Sequence, residues 1–186
     1  YFTRISSSYT GSSSTWRPST TTTTTTAPAP VAIQPVPRAV GYTSSFSDVP
    51  AGHWAAGEVA WAAQQGFMSG VGDGRFNPGG NISYQQLWMV LGRFMGANPG
   101  SMEAARFWAV ENGFAEGTNP VSPVTRQQMV VALYRCAWLM GNRSTNVASL
   151  TNYVDSRNVA ASARNAMGWA VANGIIGGNA DACLNP

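Results

Sequence analysis

The residues able to do chemistry are few and scattered. His53 is the only histidine in 186 residues, so a histidine-based metal site or Ser-His-Asp arrangement has nothing to build on. Glu58, Glu103, Glu111 and Glu116 form no recognisable acid–base pair of the kind a glycosidase needs. Asp73-Gly74 invites a calcium reading, but no series of acidic ligands follows it, which favours a glycine turn. Cys136 and Cys183 allow either one disulfide or two free thiols. A bridge between them would tie down the C-terminal end and fit an oxidising compartment. No cofactor, metal site or catalytic constellation is expected.

Composition narrows the class further. Charged residues make up 10% of the chain and the formal net charge is +3, with no basic run, so nucleic acid is not an expected partner. All the basic residues are arginine. No apolar stretch reaches the roughly 18 residues of a membrane span: the longest candidate, "MVVALYRCAWLM", is broken by Arg135. The opening "YFTRISSSYTG" has no apolar core of a secretory signal. The Ser/Thr-rich, weakly charged composition points instead to a mature exported protein.

Residues 1–41 differ from everything after them. They hold the tract Thr20, Thr21, Thr22, Thr23, Thr24, Thr25 and Thr26, followed by Pro28, Pro30, Pro35 and Pro37. This is the composition of an extended stalk or arm and of an O-glycosylation substrate. The alternation in residues 1–10 suits a short strand that could add to a neighbouring copy.

From Tyr42 the chain is repetitive. "WAAQQGFMSGVGDGRFNP" at 61–78 is echoed by "WAVENGFAEGTNPVSP" at 108–123 and "WAVANGIIGGNADACLNP" at 169–186. Each copy reads as a helix closed by a glycine, Gly66, Gly113 or Gly174, with an apolar residue after it. The first helix is expected over about 52–65, with Trp54, Val59 and Trp61 on its apolar face. Trp54, Trp61, Trp108 and Trp169 are expected mainly in the core. Second helices open at Ser83 and Thr125, each followed three residues later by glutamine, Gln86 or Gln128, which is the capping-box spacing. Leu87, Val90, Leu91 and Phe94, and Met129, Ala132, Leu133 and Cys136, then recur at helical spacing.

Together these residues resemble the S-layer homology (SLH) family. The resemblance rests on "FSDV" at 46–49, "HW" at 53–54, "GFMSGVGDGRFNP" at 66–78 and "VTRQQ" at 124–128, and covers about 42–186. It implies a mainly α, pseudo-threefold bundle of helix–loop–helix repeats, at about 42–97, 98–145 and 146–186. It also implies an extracellular place on a bacterial cell surface or wall. By the same resemblance Asp48, Trp54, Asp73, Gly74, Arg126 and Asp155 are the expected contacts to wall polysaccharide, in grooves between repeats. Arginine would offer a carboxylate fork to an anionic sugar. Departures are plain: Tyr84 replaces the motif arginine in repeat one, and repeat two opens with "GANPGSMEAARFW", without Phe-x-Asp. Repeat three reaches Pro186 with no second helix, which leads to the expectation of an uncovered groove, unless the chain is a truncated one.

Two functions follow as expectations. In the first, a non-catalytic surface protein polymerises with other copies of itself into a fibre or layer through its N-terminal arm. In the alternative, it is an anchor that binds secondary cell-wall polysaccharide.

Overall fold

The computed structural model describes residues 42–115 and 119–186. The arm at 1–41, with the strand expected at 1–10 and the threonine tract, lies outside them. The described part is mainly α. Five helices run in order: α1 (Ala56–Gln64), α2 (Tyr84–Phe94), α3 (Met102–Glu111), α4 (Arg126–Leu139) and α5 (Arg164–Ala172). Two short 3-10 turns, Ser156–Asn158 and Ala161–Ala163, lead into α5. Extended pairing among the described residues is confined to the isolated bridges Gly72–Arg75 and Ser83–Pro123.

The helix ends follow from local chemistry. Gln86 Oε1 accepts from the Ser83 backbone N–H at 2.8 Å, and Gln128 Oε1 from that of Thr125 at 2.8 Å. Thr125 Oγ1 in turn accepts from Gln128 N at 3.4 Å. These pairs start α2 and α4 where the spacing predicts. Ser101 starts α3 by accepting from Ala104 N at 3.1 Å.

The three first helices α1, α3 and α5 end alike. Gly66, Gly113 and Gly174 take φ of 73°, 66° and 68°. Each donates to a carbonyl three residues back, in Ala63, Val110 or Val171. The next residue, Phe67, Phe114 or Ile175, donates five residues back to Ala62, Ala109 or Ala170 at 2.7–2.9 Å. This double closure satisfies carbonyls that a helix end leaves bare, and it requires the left-handed conformation that glycine adopts without strain.

One boundary differs from expectation. α1 begins at Ala56, not near residue 52. The segment before it turns tightly, with His53 N donating to Pro50 O at 2.8 Å and Ala56 N to His53 O at 3.0 Å. His53 Nδ1 accepts the Ala55 N–H at 3.2 Å, which gives that backbone group a partner outside the helical ladder.

The largest apolar cluster joins Val130 and Ala137 of α4 to Ala166, Met167, Trp169 and Ala170 of α5, with Val159 and Leu184. The opposite side of α4 brings Ala132 and Cys136 against Leu87 and Leu91 of α2. Leu133 packs against both clusters, so α4 is the shared wall. α2 also packs on α3 through Trp88, Met89, Ala105 and Ala109. α1 keeps a small cluster of its own, Val49, Ala55, Ala56 and Val59 under Phe46 and Phe76. The loop after it meets α2 through the Phe67–Phe94 ring pair at 5.5 Å and the Arg93 Nη1 bond to Phe67 O at 3.2 Å.

Candidate surface-binding site

Four of the resemblance-derived residues, Asp48, Asp73, Gly74 and Asp155, fall into two neighbourhoods. The first is the loop after α1. Both carboxylate oxygens of Asp48 accept backbone N–H groups, Phe76 N on Oδ1 at 2.8 Å and Asn77 N on Oδ2 at 2.7 Å. The Phe76 bond above all, helped by the Asn77 bond and least by the Arg75 guanidinium 3.9 Å away, holds the Asp48 carboxyl below the ordinary aspartate range against the opposing effect of burial. Gly74 O accepts from Ser47 N at 2.9 Å and from Ser47 Oγ at 3.2 Å. Asp73 stands exposed at the loop tip with φ of 51°.

The second neighbourhood repeats the first. Asp155 accepts Leu184 N on Oδ1 at 2.8 Å and Asn185 N on Oδ2 at 2.7 Å. Its carboxyl is likewise lowered, chiefly by the Leu184 bond. Val154 N donates to Ala182 O at 3.1 Å, as Ser47 N does to Gly74 O. Asn77 and Asn185 both sit in the left-handed region, at φ of 62° and 49°. Phe46 lies against Gly70 and Tyr153 against Gly178, where a Cβ would come within 2.7 Å and 2.9 Å of the ring. Two segments more than a hundred residues apart thus fold into one loop design, clasped by an aspartate.

Trp54 corrects the expectation of a core tryptophan. It is 85% exposed and lies against the His53 ring, with centroids 5.4 Å apart. Trp169 is buried, whereas Trp61 and Trp108 are half-buried. The outward turn that delays α1 is what places Trp54 in solvent.

Arg126 is the first residue of α4 and is exposed. The neighbouring Gln127 Oε1 accepts from Ala160 N at 2.9 Å, which sets the start of α4 beside the segment that precedes α5. Next to that junction is an open cleft of about 470 Å³. One wall is the 147–151 segment, including Ser149 and Thr151; the other carries Ser156, Ala161, Arg164 and Asn165. Ala148 N donates to Gly168 O of α5 at 3.0 Å, and a Cβ on Gly168 would reach within 2.7 Å of Ala148 O. Glycine there lets the 147–151 wall lie close on α5. The lining combines hydroxyls, an amide and one guanidinium with the apolar Val147, Ala148 and Leu150, so it can offer both hydrogen bonds and one positive charge. Arg164, Ser149 and Thr151 carry no motif spacing, so no sequence signal marks them.

The bridge between Cys136 and Cys183 is not formed; both are free. Cys136 is buried between α4 and α2, and burial pushes its thiol up to about 12. Cys183 lies in the loop that Asp155 clasps, and its thiol is raised by partial burial and by the charges of Asp155 and Asp181. Among the described residues no group of three histidine, cysteine or acidic side chains is placed to hold a metal ion. No described helix is long and apolar enough to cross a membrane.

The sequence matches the S-layer homology domain over residues 45–87 and 152–186, the two stretches that contain the aspartate clasps. It is also similar to a "Cell surface protein" of Thermoanaerobacter kivui, at 40% identity over 53 residues. That alignment covers 28% of this chain and 7% of the relative, so the chain spans only a small part of the length of the curated protein it matches. Motif order, helical architecture and family match agree: residues 45–87 and 152–186 are similar to the S-layer homology domain.

Proposed function

We propose that this chain is a non-catalytic bacterial cell-surface protein whose SLH repeats attach it to an anionic wall polysaccharide. The observation that carries the reading is the cleft between the 147–151 segment and the start of α5, lined by Arg164 with Ser149, Thr151, Ser156 and Asn165. SLH domains as a family bind cell-wall polysaccharide; this cleft is lined within the third repeat alone and opens beside its junction with the second, where Gln127 of α4 meets Ala160. Arg126 stands at the same junction, and Trp54 offers an exposed aromatic face at the other SLH segment. Asp155 shapes the loop next to Ser156 of the cleft, and Asp48 shapes the corresponding loop of the first SLH segment, since their oxygens already bind backbone. Asp73 and Gly74 belong to the loop tip that Asp48 holds.

The test is retention of purified protein on wall sacculi. A charge-assisted hydrogen bond contributes about 1.5–3 kcal/mol, so Arg164→Ala is expected to weaken retention by roughly 10- to 100-fold. Arg126→Ala and Trp54→Ala are expected to weaken it less. Binding untouched by all three substitutions would remove the cleft from the argument.

A second reading is self-assembly into a fibre or layer through the N-terminal arm. It is favoured by large apolar side chains left in solvent on two helices: Phe107 and Val110 on α3, and Trp138 and Leu139 on α4. Sedimentation separates the two readings. Polymers that disappear on deletion of residues 1–41 support assembly, and a strict monomer with or without the arm removes it.

A further inference from the structure

Aspartyl and asparaginyl residues followed by glycine or serine are the sites at which a protein backbone rearranges spontaneously. The described residues contain four such pairs: Asp73-Gly74, Asn112-Gly113, Asn173-Gly174 and Asp155-Ser156. In an unfolded chain the two Asn-Gly pairs react fastest, because an amide is a better electrophile than a carboxylate and glycine does not hinder attack. The fold restrains these pairs unequally.

Both Asn-Gly pairs are locked into the helix ends described above. Asn112 Nδ2 donates to Trp108 O at 2.8 Å, and Asn173 Nδ2 to Trp169 O at 2.7 Å. The attacking nitrogens are held as well, Gly113 N on Val110 O at 2.9 Å and Gly174 N on Val171 O at 3.1 Å. Asp155 has both oxygens on backbone N–H groups, and Ser156 N donates to Tyr153 O at 3.2 Å. To react, each of these pairs must first break at least two hydrogen bonds.

At Asp73-Gly74 the two reacting groups themselves are unbonded. Both residues are exposed, and among the described residues neither the Asp73 carboxylate nor the Gly74 N–H has a hydrogen-bond partner. Asp73 sits at φ of 51°, between Gly72 at 107° and Gly74 at 66°. The turn is closed by Arg75 N on Gly72 O at 2.9 Å, and Gly74 O accepts from Ser47 N at 2.9 Å. These bonds engage neither the Asp73 carboxylate nor the attacking Gly74 nitrogen, and a left-handed non-glycine residue is held at a cost.

We propose that Asp73-Gly74 is a spontaneous modification site at which the folded protein acquires isoaspartate. The Gly74 nitrogen attacks Cγ of the protonated Asp73 carboxyl. A C–N bond forms, and the amide proton and the carboxyl hydroxyl leave as water, giving a five-membered succinimide. Water then adds to one of the two ring carbonyls. Addition at the Asp73 main-chain carbonyl breaks its bond to Gly74 N and leaves a β-linked backbone, whereas addition at Cγ restores aspartate. No oxidant or co-reactant is needed. The β-linkage lengthens the main chain just before Gly74, whose carbonyl holds Ser47, and two residues before the segment that Asp48 clasps.

The three pairs ending in glycine fall on separate tryptic peptides, 39–75, 107–126 and 165–186. The folded protein is incubated in warm, mildly acidic water enriched in heavy oxygen, then digested and weighed. The expected result is heavy oxygen and a second, isoaspartyl form in peptide 39–75 alone. The same incubation in urea is expected to deamidate 107–126 and 165–186 at least tenfold faster than in the folded protein. Asp73→Glu, which would require a six-membered ring, is expected to abolish the label. Absence of label from 39–75, while the urea control reacts, overturns the proposal. Folded-state deamidation of either Asn-Gly pair as fast as in urea overturns it too.

Discussion

Asp48 and Asp155 act on backbone rather than on solvent, and each closes a loop on an N–H 28 or 29 residues away. An amide has one accepting oxygen where the carboxylate has two. Asp48→Asn and Asp155→Asn are therefore expected to lower the denaturation midpoint without changing the helices. The pH dependence has a definite sign. Both carboxyls titrate lower in the folded chain than in the unfolded one. Their stabilisation is thus full at neutral pH and is lost as the pH falls through the depressed folded value. Denaturant midpoints measured from neutral to acid pH should fall steeply for the parent and less steeply for the double variant. The cysteines make a second residue-scale prediction. A thiol reagent should label Cys183 in the native protein, slowly because its thiol is raised, and Cys136 only after unfolding. The family resemblance picked out Asp48 and Asp155, but as contacts to a wall polymer and not as backbone clasps, because their partners lie in another loop. The cysteine count also offered a Cys136–Cys183 bridge. Helical periodicity places Cys136 on an apolar face without saying that α2 covers that face.

Elements were legible where one residue type answers one geometric need. The glycines that end α1, α3 and α5 were readable from sequence because a left-handed residue at that point has few alternatives. Replacement tests this directly. A Cβ at Gly66 or Gly174 meets nothing within 4 Å, so Gly66→Ala and Gly174→Ala should each cost about 1–2 kcal/mol, the backbone penalty alone. Gly113→Ala should cost more by thermal or chemical denaturation, because its Cβ also meets the Arg135 guanidinium that lies 5.8 Å over the Phe114 ring. Helix starts were legible at Ser83 and Thr125, where a side chain and a glutamine announce them. The start of α1 was not. Val59 and Trp61 kept the apolar pattern, while the competing His53–Ala55 contact is invisible to periodicity. The same blindness put Trp54 in the core.

At the scale of the molecule, stability should be uneven. α4 is packed on both sides, against α2 and α5, whereas α1 rests on a satellite cluster and on the loop after it, which meets α2. Native-state hydrogen exchange should therefore be slowest in α4 and α5 and fastest in α1. Met167 is fully buried at the α4–α5 contact, so Met167→Ala should cost about 2–5 kcal/mol. Periodicity foretold which helices are amphipathic and that repeats recur. It did not foretell that α4 would serve two neighbours, since a one-dimensional pattern gives a helix an apolar face but not the number of partners meeting it.

The aspartate clasps also say how the protein meets a pull. Ser47 and Asp48 tie the entry to repeat one to Gly74, Phe76 and Asn77, so tension arriving from residue 42 loads those bonds before it reaches α1. Asp155 joins the entry to the last repeat to Leu184 and Asn185 in the same way. Each clasp encloses its helix, which is shielded from stretching until the clasp tears. A surface protein built this way would yield in steps, first one buckle and then the coil behind it, rather than unravelling from its end.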